Sequence, residues 1–277
     1  RLFARQKLKH EFVNLDDLFG AEMATRFDRK NVNVIGYGFG KGEIVGHKLD
    51  LSRRGLKLEV STPWGSAKVR SKVLGAFNAH NILGVLGVLA CSDISIKDAA
   101  AAISEIEPVP GRMQAIRETG FPLVVVDYSH TPEALEKALE SLRDLLKPGA
   151  RLHCVFGAGG DRDAGKRPVM GEVATRLADH SIITSDNPRS EDPHHIIDDI
   201  VAGAHSGYAL EPNRATAIRE AIDNAVPDDV VLIAGKGHEN YQEINGERLP
   251  FSDLEVARAA MAARACAKRA SRSRARV

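Results

Sequence analysis

The sequence contains only three cysteines, Cys91, Cys154 and Cys266, which are odd in number and widely spaced. This pattern argues against a disulfide framework and favours a reducing compartment, because structural disulfides need paired cysteines and an oxidising environment. We therefore expect the protein in the cytoplasm.

An excess of charge of either sign is also missing. The 38 lysines and arginines nearly balance the 37 aspartates and glutamates, so the formal net charge is +1. No overall field gathers a nucleic acid or an anionic membrane, so we expect neither as a partner. No apolar stretch approaches the roughly 20 residues of a spanning helix, and no segment resembles a signal peptide. We expect a small-molecule ligand instead.

The 277 residues suffice for one large domain or two ordinary ones. Residues 43–72 alternate polar and apolar residues in short steps, which predicts an antiparallel meander. Helical spacing follows at 78–89 and at 95–106. Residues 108–111 then contain two prolines and a glycine, which predicts an interdomain hinge.

The rest of the sequence alternates strands and helices. Apolar runs predict strands at 123–127, 152–156, 181–184 and 230–234. Helical patterns separate these runs, and such alternation predicts a parallel, doubly wound sheet. The predicted fold class is therefore α/β, with a C-terminal doubly wound, Rossmann-like parallel sheet domain behind the region of the meander.

Each of the four predicted strands is followed by a polar cluster. The clusters are 127–130, 157–163, 186–189 and 235–239. The carboxyl ends of parallel strands meet at one edge of a sheet, where ligands bind. We therefore expect a binding cleft at this edge.

The loop after the third strand carries Arg189 between Pro188 and Pro193. Pro188 pushes Asn187 toward extended geometry, and Asp192 followed by Pro193 is a good start for the next helix. A loop that is stiffened at both ends can aim the Arg189 guanidinium at a planar anion.

Residues 160–166 superficially spell a phosphate-loop pattern. Arg167 stands where that motif needs a Ser or Thr hydroxyl for magnesium. Asp161 and Asp163 place negative charge where backbone amides should meet phosphate. We therefore reject a phosphate loop here, and we expect the glycines to allow a tight turn that brings Arg162 forward.

Charged side chains on these loops complement a zwitterion. Arg162 and Arg189 can each clamp a carboxylate, while Asp186 and Glu239 can receive an ammonium group. Local roles stay open as well: Arg162 can pair with its neighbour Asp163, and Glu239 can cap or pair locally.

Two histidines follow the first and the last of these strands. His130 and His238 can serve as acid-base groups near neutral pH. A supporting or helix-capping role fits each of them equally well, and the sequence leaves both roles open.

Six ordered segments resemble one family closely. They are Phe77-Asn78-Ala79-His80-Asn81, Pro110-Gly111-Arg112, Asp127-Tyr128-Ser129-His130-Thr131-Pro132, Gly159-Gly160-Asp161-Arg162-Asp163, Asp186-Asn187-Pro188-Arg189 and Gly235-Lys236-Gly237-His238-Glu239. They are similar to the motifs of the Mur ligases, and among these to the branch that adds meso-diaminopimelate. The resemblance implies an ATP-dependent amide ligase of peptidoglycan synthesis. Its reaction would add meso-diaminopimelate to UDP-N-acetylmuramoyl-L-alanyl-D-glutamate through an acyl-phosphate intermediate.

The resemblance also implies roles for individual residues. The second carboxylate of meso-diaminopimelate would bind Arg189, whereas lysine would leave this arginine buried and unpaired. Contacts with the amino acid are implied for Arg162, Asp186, Asn187, Pro188, Arg189, Gly235 and Glu239. Asn78 and Asn81 would contact the adenine of ATP. Arg112 would contact its terminal phosphates and Asp127 its ribose. The implied catalytic residues are Arg112 and His130.

Elements that precede these motifs in the family are missing from the sequence. Family members carry a UDP-sugar domain, a true glycine-rich phosphate loop, a modified lysine and magnesium ligands before this region. The sequence also begins at Arg1 without a methionine, so we expect a truncated chain. We expect Mg²⁺ ligands in the missing part, no metal site in this sequence and no ligase activity from this polypeptide alone. Residues 1–12 are similar to the helix that follows the missing elements.

By the same resemblance, residues 1–109 would be the C-terminal part of the central α/β ATP-binding domain and 110–265 the amino-acid-binding domain. The end of the sequence, 266–277, is basic and contains serines, and we expect a flexible tail here rather than a nucleic-acid arm. The implied partners are meso-diaminopimelate, the UDP-N-acetylmuramoyl dipeptide and ATP, and we expect a monomer. Two alternatives stay open. One is a non-catalytic amino-acid-binding or scaffold fragment, and the other is a related ligase such as a folylpolyglutamate or cyanophycin synthetase.

Overall fold

A computed structural model describes residues 8–26 and 32–274 of the protein. The chain divides into two compact units, Arg1–Glu107 and Pro108–Val277, called here the first and the second unit. The predicted α/β fold class is confirmed, because both units combine a sheet with helices.

The first unit contains a five-stranded sheet in the order β1-β2-β3-β4-β5. Its strands are β1 (His10–Asn14), β2 (Asn33–Phe39), β3 (Ile44–Ser52), β4 (Gly55–Thr62) and β5 (Gly65–Ser71), and its helices are α1 (Leu18–Arg26), α2 (Ala76–Ala90) and α3 (Ile96–Glu105). Strands β3 to β5 form the predicted antiparallel meander, while β1, β2 and β3 pair in parallel. Apolar residues of α2 and α3, among them Leu83 and Ile103, pack against the sheet residues Ile44 and Leu58.

The helix predicted for residues 1–12 is wrong where the structure describes it. Residues 1–7 lie outside the described residues, and strand β1 begins at His10. Its register pairs His10 with Asn33 and Phe12 with Ile35. Pairing with β2 decides this segment, since it satisfies the backbone hydrogen bonds and lets Phe12 pack against the core.

The second unit is built on a six-stranded sheet in the order β10-β9-β8-β11-β7-β6, with a separate two-stranded hairpin. The strands are β6 (Gln114–Ile116), β7 (Leu123–Asp127), β8 (Leu152–Phe156), β9 (His180–Ile183), β10 (Tyr208–Leu210), β11 (Val230–Ala234), β12 (Tyr241–Ile244) and β13 (Glu247–Pro250). The helices are α4 (Pro132–Arg143), α5 (Lys166–Leu177), α6 (Pro193–Val201), α7 (Arg214–Asn224) and α8 (Asp253–Arg274). Only β6 runs antiparallel to its neighbour in the six-stranded sheet.

The three central strands of this sheet are buried along their whole length. Every residue of β7, β8 and β11 is buried, as expected for a parallel sheet that is covered on both faces. Helices α7 and α8 pack on one face, where Ile218 and Met261 meet Val124 and Ile233. Helices α4, α5 and α6 also contact strands of this sheet and lie outside that cluster, so they cover the other face.

The structure describes most of the segment 266–277, predicted as a basic flexible tail, as part of a helix, and its flexibility stays a prediction. Helix α8 continues from Asp253 to Arg274, and 275–277 lie outside the described residues. The segment is rich in alanine, lysine and arginine, which have high helix propensity and favour a helix here. None of the helices described in the structure combines the length and the apolar character needed to cross a bilayer.

Candidate functional site

The four polar loops lie together at the carboxyl edge of the second unit's sheet. Their strands β9, β8, β11 and β7 are consecutive neighbours. The Gly235 amide donates to the Asp127 carbonyl over 3.1 Å, and the Gly160 amide donates to the Asn187 carbonyl over 2.9 Å. All four loops are therefore joined to a neighbour by backbone hydrogen bonds.

The loop that carries Arg189 is held by the β12–β13 hairpin. The Arg189 amide donates to the Glu243 carbonyl over 3.0 Å, and the Asn245 amide donates to the Arg189 carbonyl over 2.7 Å. These two bonds stabilise Arg189 at a φ of +53°, which is uncommon for a residue other than glycine. At the end of the loop, Asp192 accepts a hydrogen bond from the His194 amide at 2.8 Å and caps helix α6 as predicted.

Residues 157–165 follow β8 and are called the glycine turn here. The Arg189 guanidinium lies on this turn. Its Nη1 donates to the Gly160 carbonyl over 2.7 Å, and its Nε is 3.7 Å from an oxygen of Glu243. The side chain is 20% exposed, and its Nη2 makes no hydrogen bond within the described part of the chain. Donors therefore remain available for a ligand carboxylate at the edge of the sheet.

The glycine turn fits against the Arg189 loop because it has no side chains there. A Cβ on Gly160 would lie 1.9 Å from the Pro188 carbonyl oxygen, and one on Gly159 would lie 2.9 Å from Arg189 Nη1. Asp161 joins the two loops further, since its carboxylate accepts from the Ser190 hydroxyl at 2.7 Å and from the Ser190 amide at 3.2 Å. The predicted tight turn is thus present and docks directly on the Arg189 loop.

Asn187, Lys236 and Glu239 form a polar network in which Asn187 and Lys236 are buried and Glu239 is half-buried. Lys236, whose side chain is fully buried, donates to Asn187 Oδ1 and to Glu239 Oε2, both at 2.9 Å. Asn187 Nδ2 donates to the same Glu239 oxygen over 2.8 Å. Asn187 Oδ1 also accepts from the Glu243 amide, so both the oxygen and the nitrogen of the Asn187 side chain bind the protein. The contacts of Asn187 hold the Glu239 carboxylate in place. Lys236 also belongs to the site, although the sequence alone assigned it no role.

The Glu239 carboxylate is ionised at neutral pH. Burial opposes its ionisation, but hydrogen bonds from Lys236 and Asn187, with the charges of Lys236 and Arg189, outweigh this effect and lower its pKa. The second oxygen, Oε1, makes no hydrogen bond within the described residues. It is therefore a negative acceptor that remains available to a ligand.

Asp186 is the second acid of the site and, unlike Glu239, has no direct partner among the described residues. The residue is 8% exposed, and its carboxylate makes no hydrogen bond within the described residues, although its carbonyl accepts from Gln242. One carboxylate oxygen lies 2.4 Å from where a Cβ of Gly235 would be, so this side chain needs glycine beside it. Asp186 therefore presents a carboxylate that is free of hydrogen bonds within the described residues and retains some contact with solvent.

Arg162, also assigned to this site, lies at the surface of the glycine turn. Its Nη1 donates to the Asp161 carbonyl over 3.1 Å. The local pairing with Asp163 is not present, since Asp163 accepts from the Gly165 amide instead. Arg162 thus keeps donors for a ligand, whereas Arg167 is buried in contacts with Glu191 and Asp199.

Asp127, Arg112 and His130 lie near one another at the end of strand β7. Asp127 accepts from the Met113 amide at 2.7 Å and from the amide and hydroxyl of Ser129. Arg112 lies over the Tyr128 ring at 4.8 Å. His130 Nδ1 lies 2.8 Å from the Tyr128 carbonyl, to which it donates. Asp127 therefore stabilises the backbone around it, and His130 Nε2 is left for other partners.

Close glycine contacts connect these residues with the last loop. Gly111, at a φ of +67°, would place a Cβ 2.1 Å from the His238 backbone nitrogen. The His238 ring lies 5.5 Å from the Tyr128 ring. Pro110-Gly111-Arg112 thus packs directly on the loop that carries Glu239.

Asn78 and Asn81 belong to the first unit, on helix α2. Asn78 Nδ2 donates to the Leu74 carbonyl over 2.7 Å, and Asn81 Nδ2 donates to Asn78 Oδ1 over 3.0 Å. His80 between them contacts Asp16 at 2.9 Å, a pairing that the sequence reasoning missed because 64 residues separate the two. The two asparagines are therefore coupled to each other on one turn of the helix.

Within the described residues, no group of three or more His, Cys, Asp or Glu side chains is arranged to hold a metal ion. A separate cavity of about 710 Å³ opens at the opposite, amino end of the strands. His153 and Asp229 line it and form a pair at 3.2 Å, and burial lowers the pKa of His153. None of the predicted site residues lines this cavity.

Comparisons with known proteins agree on one family. The family model "Mur ligase middle domain" matches residues 1–89, and the model "Mur ligase, glutamate ligase domain" matches residues 111–237. The UDP-N-acetylmuramoyl-L-alanyl-D-glutamate–2,6-diaminopimelate ligase of Chromobacterium violaceum is 48% identical over 264 residues, which are 95% of this chain and 54% of the relative. The corresponding ligase of Neisseria meningitidis serogroup A is 46% identical over 259 residues, with 92% of this chain and 53% of the relative covered.

Two solved structures of ligases also resemble this chain. A structure of a UDP-N-acetylmuramoyl-L-alanyl-D-glutamate–2,6-diaminopimelate ligase matches with a TM-score of 0.68 and 36% identity, over 95% of this chain and 55% of that one. The MurF ligase from Thermotoga maritima in complex with ADP matches with a TM-score of 0.63 and 17% identity, over 84% of this chain and 51% of that one. This second likeness concerns the fold alone. The chain spans about half the length of the curated relatives it matches.

Proposed function

Because this chain belongs to the Mur ligase family, we propose that it provides the amino-acid site of an ATP-dependent ligase of peptidoglycan synthesis. The ligase adds meso-diaminopimelate to UDP-N-acetylmuramoyl-L-alanyl-D-glutamate. Relatives of 46–48% identity carry the name of this activity, and the carboxyl edge of the second unit has the charges that the amino acid requires.

The observation that carries the proposal is the position of the Arg189 guanidinium. It lies on the glycine turn with donors available, beside two acids, the buried Asp186 and the half-buried Glu239, that keep acceptors available. Meso-diaminopimelate has a carboxylate and an ammonium group at each end. Arg189 and Arg162 bind carboxylate, and Asp186 and Glu239 bind ammonium.

Selectivity over lysine follows from the same arrangement. Lysine has no carboxylate at its far end, so Arg189 would lose its solvation without gaining a partner. Asn187, Pro188 and Gly235 shape this pocket. Pro188 places its carbonyl against Gly160, and Gly235 leaves room for the Asp186 carboxylate.

The residues assigned to ATP complete the proposal. The side-chain amides of Asn78 and Asn81, which are hydrogen-bonded to each other, are assigned to adenine. Arg112 is assigned to the terminal phosphates and Asp127 to the ribose. ATP, when bound, supplies the phosphoryl group that activates the acceptor carboxylate. His130, whose Nε2 is available, is proposed as a proton acceptor near the amine. We place the Mg²⁺ ligands outside this chain, so no step is derived through the metal, and we retain a cytoplasmic monomer as the working proposal.

Titration calorimetry of this chain with meso-diaminopimelate and with L-lysine tests the proposal. We expect binding of meso-diaminopimelate and about 100-fold weaker binding of L-lysine, the ratio expected for one charge-assisted carboxylate interaction. Equal affinities would contradict the assignment of Arg189. Preferred binding of L-glutamate would instead favour a folylpolyglutamate-type ligase.

Substitution of Glu239 by glutamine is expected to destabilise the protein in a pH-dependent way. At pH 7.5 the loss is about 1–3 kcal/mol, because the buried Lys236 ammonium loses its charged partner. The folded-state pKa of Glu239 is lowered, so its ionised form contributes stability above its ordinary value near 4.5. This contribution disappears as the pH falls through the lower folded value.

Urea denaturation between pH 7.5 and 3.5 measures this difference. The gap between wild type and Glu239→Gln should shrink as the pH falls below about 4.5. Glu247→Gln, an exposed position on the neighbouring hairpin, is the matched control and should show no gap. A gap that stays constant over this range would show that the Glu239 charge does not hold the network.

A further inference from the structure

A fully buried ion pair lies directly behind the proposed amino-acid site. Arg214 Nε donates to one oxygen of Asp253 over 2.7 Å, and Arg214 Nη2 donates to the other over 2.8 Å. Both side chains are 0% exposed. Neither residue belongs to the motifs that identified the family, and neither is adjacent to them in sequence.

The location of Arg214 opposes local helix preferences. It is the first residue of helix α7, after the Asn213 cap, where the positive end of the helix dipole disfavours a cation. Asp253 begins helix α8, where a negative charge is favoured. The contacts of its guanidinium, rather than a contribution to the helix, therefore explain an arginine at this position.

The remaining donors of Arg214 reach the two strand ends that lead into the site. Nη2 donates to the Ala234 carbonyl over 2.9 Å, and Nη1 to the Ser185 carbonyl over 3.4 Å. Ala234 directly precedes Gly235, and Ser185 directly precedes Asp186. The planar guanidinium of Arg214 thus sets the distance between the two chain segments that contain Gly235 and Asp186.

The charge of Arg214 also acts on the acids of the site. Its guanidinium interacts favourably with the carboxylates of Asp186 and Glu239, although neither forms an ion pair with it. A buried ion pair is weak evidence for stability, because desolvation offsets the attraction between the charges, and apolar replacements are often tolerated. Geometry and local charge are therefore the better explanation for this pair.

We propose that Arg214, held by Asp253, is a positioning residue of the amino-acid site. It fixes the ends of β9 and β11 at the distance that brings Asp186 against Gly235, and its charge supports the two ammonium-binding acids. This inference rests on the proposed function, since it concerns the same site.

The test uses the full chain with the double variant Arg214→Met/Asp253→Leu, which removes both charges without leaving one unpaired. We expect a cooperative unfolding transition but about tenfold weaker binding of meso-diaminopimelate by calorimetry. Arg214→Lys is a second variant that keeps the charge but not the fork of donors, and we expect weaker binding there too. Arg219→Met, an exposed position on the same helix, is the control and should bind as wild type does.

Hydrogen exchange separates this inference from the proposed function. In the double variant, we expect the amides of Gly235 and of the 186–189 loop to exchange about tenfold faster, while those of β7 do not change. If wild type does not bind meso-diaminopimelate, the proposed function fails and exchange alone decides the positioning role. Unchanged exchange in these loops, or a folded double variant with wild-type affinity, would overturn the inference.

Discussion

Replacing Arg189 by alanine is expected to weaken the binding of meso-diaminopimelate by about 100-fold. The guanidinium lies on the glycine turn through its bond to the Gly160 carbonyl, and its Nη2 makes no hydrogen bond within the described residues. A bidentate arginine–carboxylate contact combines charge with two parallel hydrogen bonds. Alanine removes both contributions and leaves the carboxylate to be desolvated without compensation.

Calorimetry of wild type and variant with two ligands isolates this effect. The weak affinity for L-lysine should be unchanged or slightly higher in Arg189→Ala, because lysine lacks the carboxylate that the arginine binds. Arg189→Lys should recover only part of the loss, since an ammonium cannot donate bidentately. Arg248→Ala, on the hairpin that holds the Arg189 backbone, is the matched control, because Arg248 stacks on Tyr241 instead. An affinity for meso-diaminopimelate that survives the loss of Arg189 would remove the basis of the substrate assignment.

Replacing Gly160 by alanine is expected to abolish this binding without removing any charged group. A Cβ at this position would lie 1.9 Å from the Pro188 carbonyl oxygen, so the glycine turn and the Arg189 loop must separate. The contact between Arg189 Nη1 and the Gly160 carbonyl is then lost. We also expect the free energy of unfolding to fall by about 1–3 kcal/mol, as for other overpacked positions.

Gly165→Ala is the matched control on the same turn. Gly165 has a φ of −61°, and its added methyl group would meet only a side-chain oxygen of Asp163, at 3.2 Å. Both binding and stability should therefore stay close to wild type. Binding by Gly160→Ala equal to that of the control would show that the two loops need not touch for the site to form.

The predicted strands 123–127, 152–156 and 230–234 coincide with β7, β8 and β11. Their continuous apolar runs are typical of parallel strands that are buried on both faces. The three-residue strands β6 and β10 were missed because such short segments carry no period. The β12–β13 hairpin was also missed, although Asn245-Gly246 between alternating residues is a recognised turn signal.

That hairpin has consequences for the site. Its Glu243 and Asn245 backbones hold Arg189 in a left-handed conformation, which no local pattern around Arg189 indicates. Asp127 and Asn187 illustrate the same limit, since their polar atoms bind the surrounding protein. A residue type at a strand end can be recognised in sequence, but the partners of its atoms cannot.

The succession of buried strands, the polar loops after them and the family motifs could be predicted from the amino-acid sequence, because these features depend on residue types close together in the chain. The folded structure was needed to show which carboxylates and donors stay available, and that Lys236, Arg214 and Asp253 support them. Several of these contacts join residues far apart in the chain: Arg214 and Asp253 are 39 positions apart, and Lys236 and Asn187 are 49 positions apart. Their energies depend on burial and on distances of a few ångström, which exist only once the sheet has brought its strand ends together.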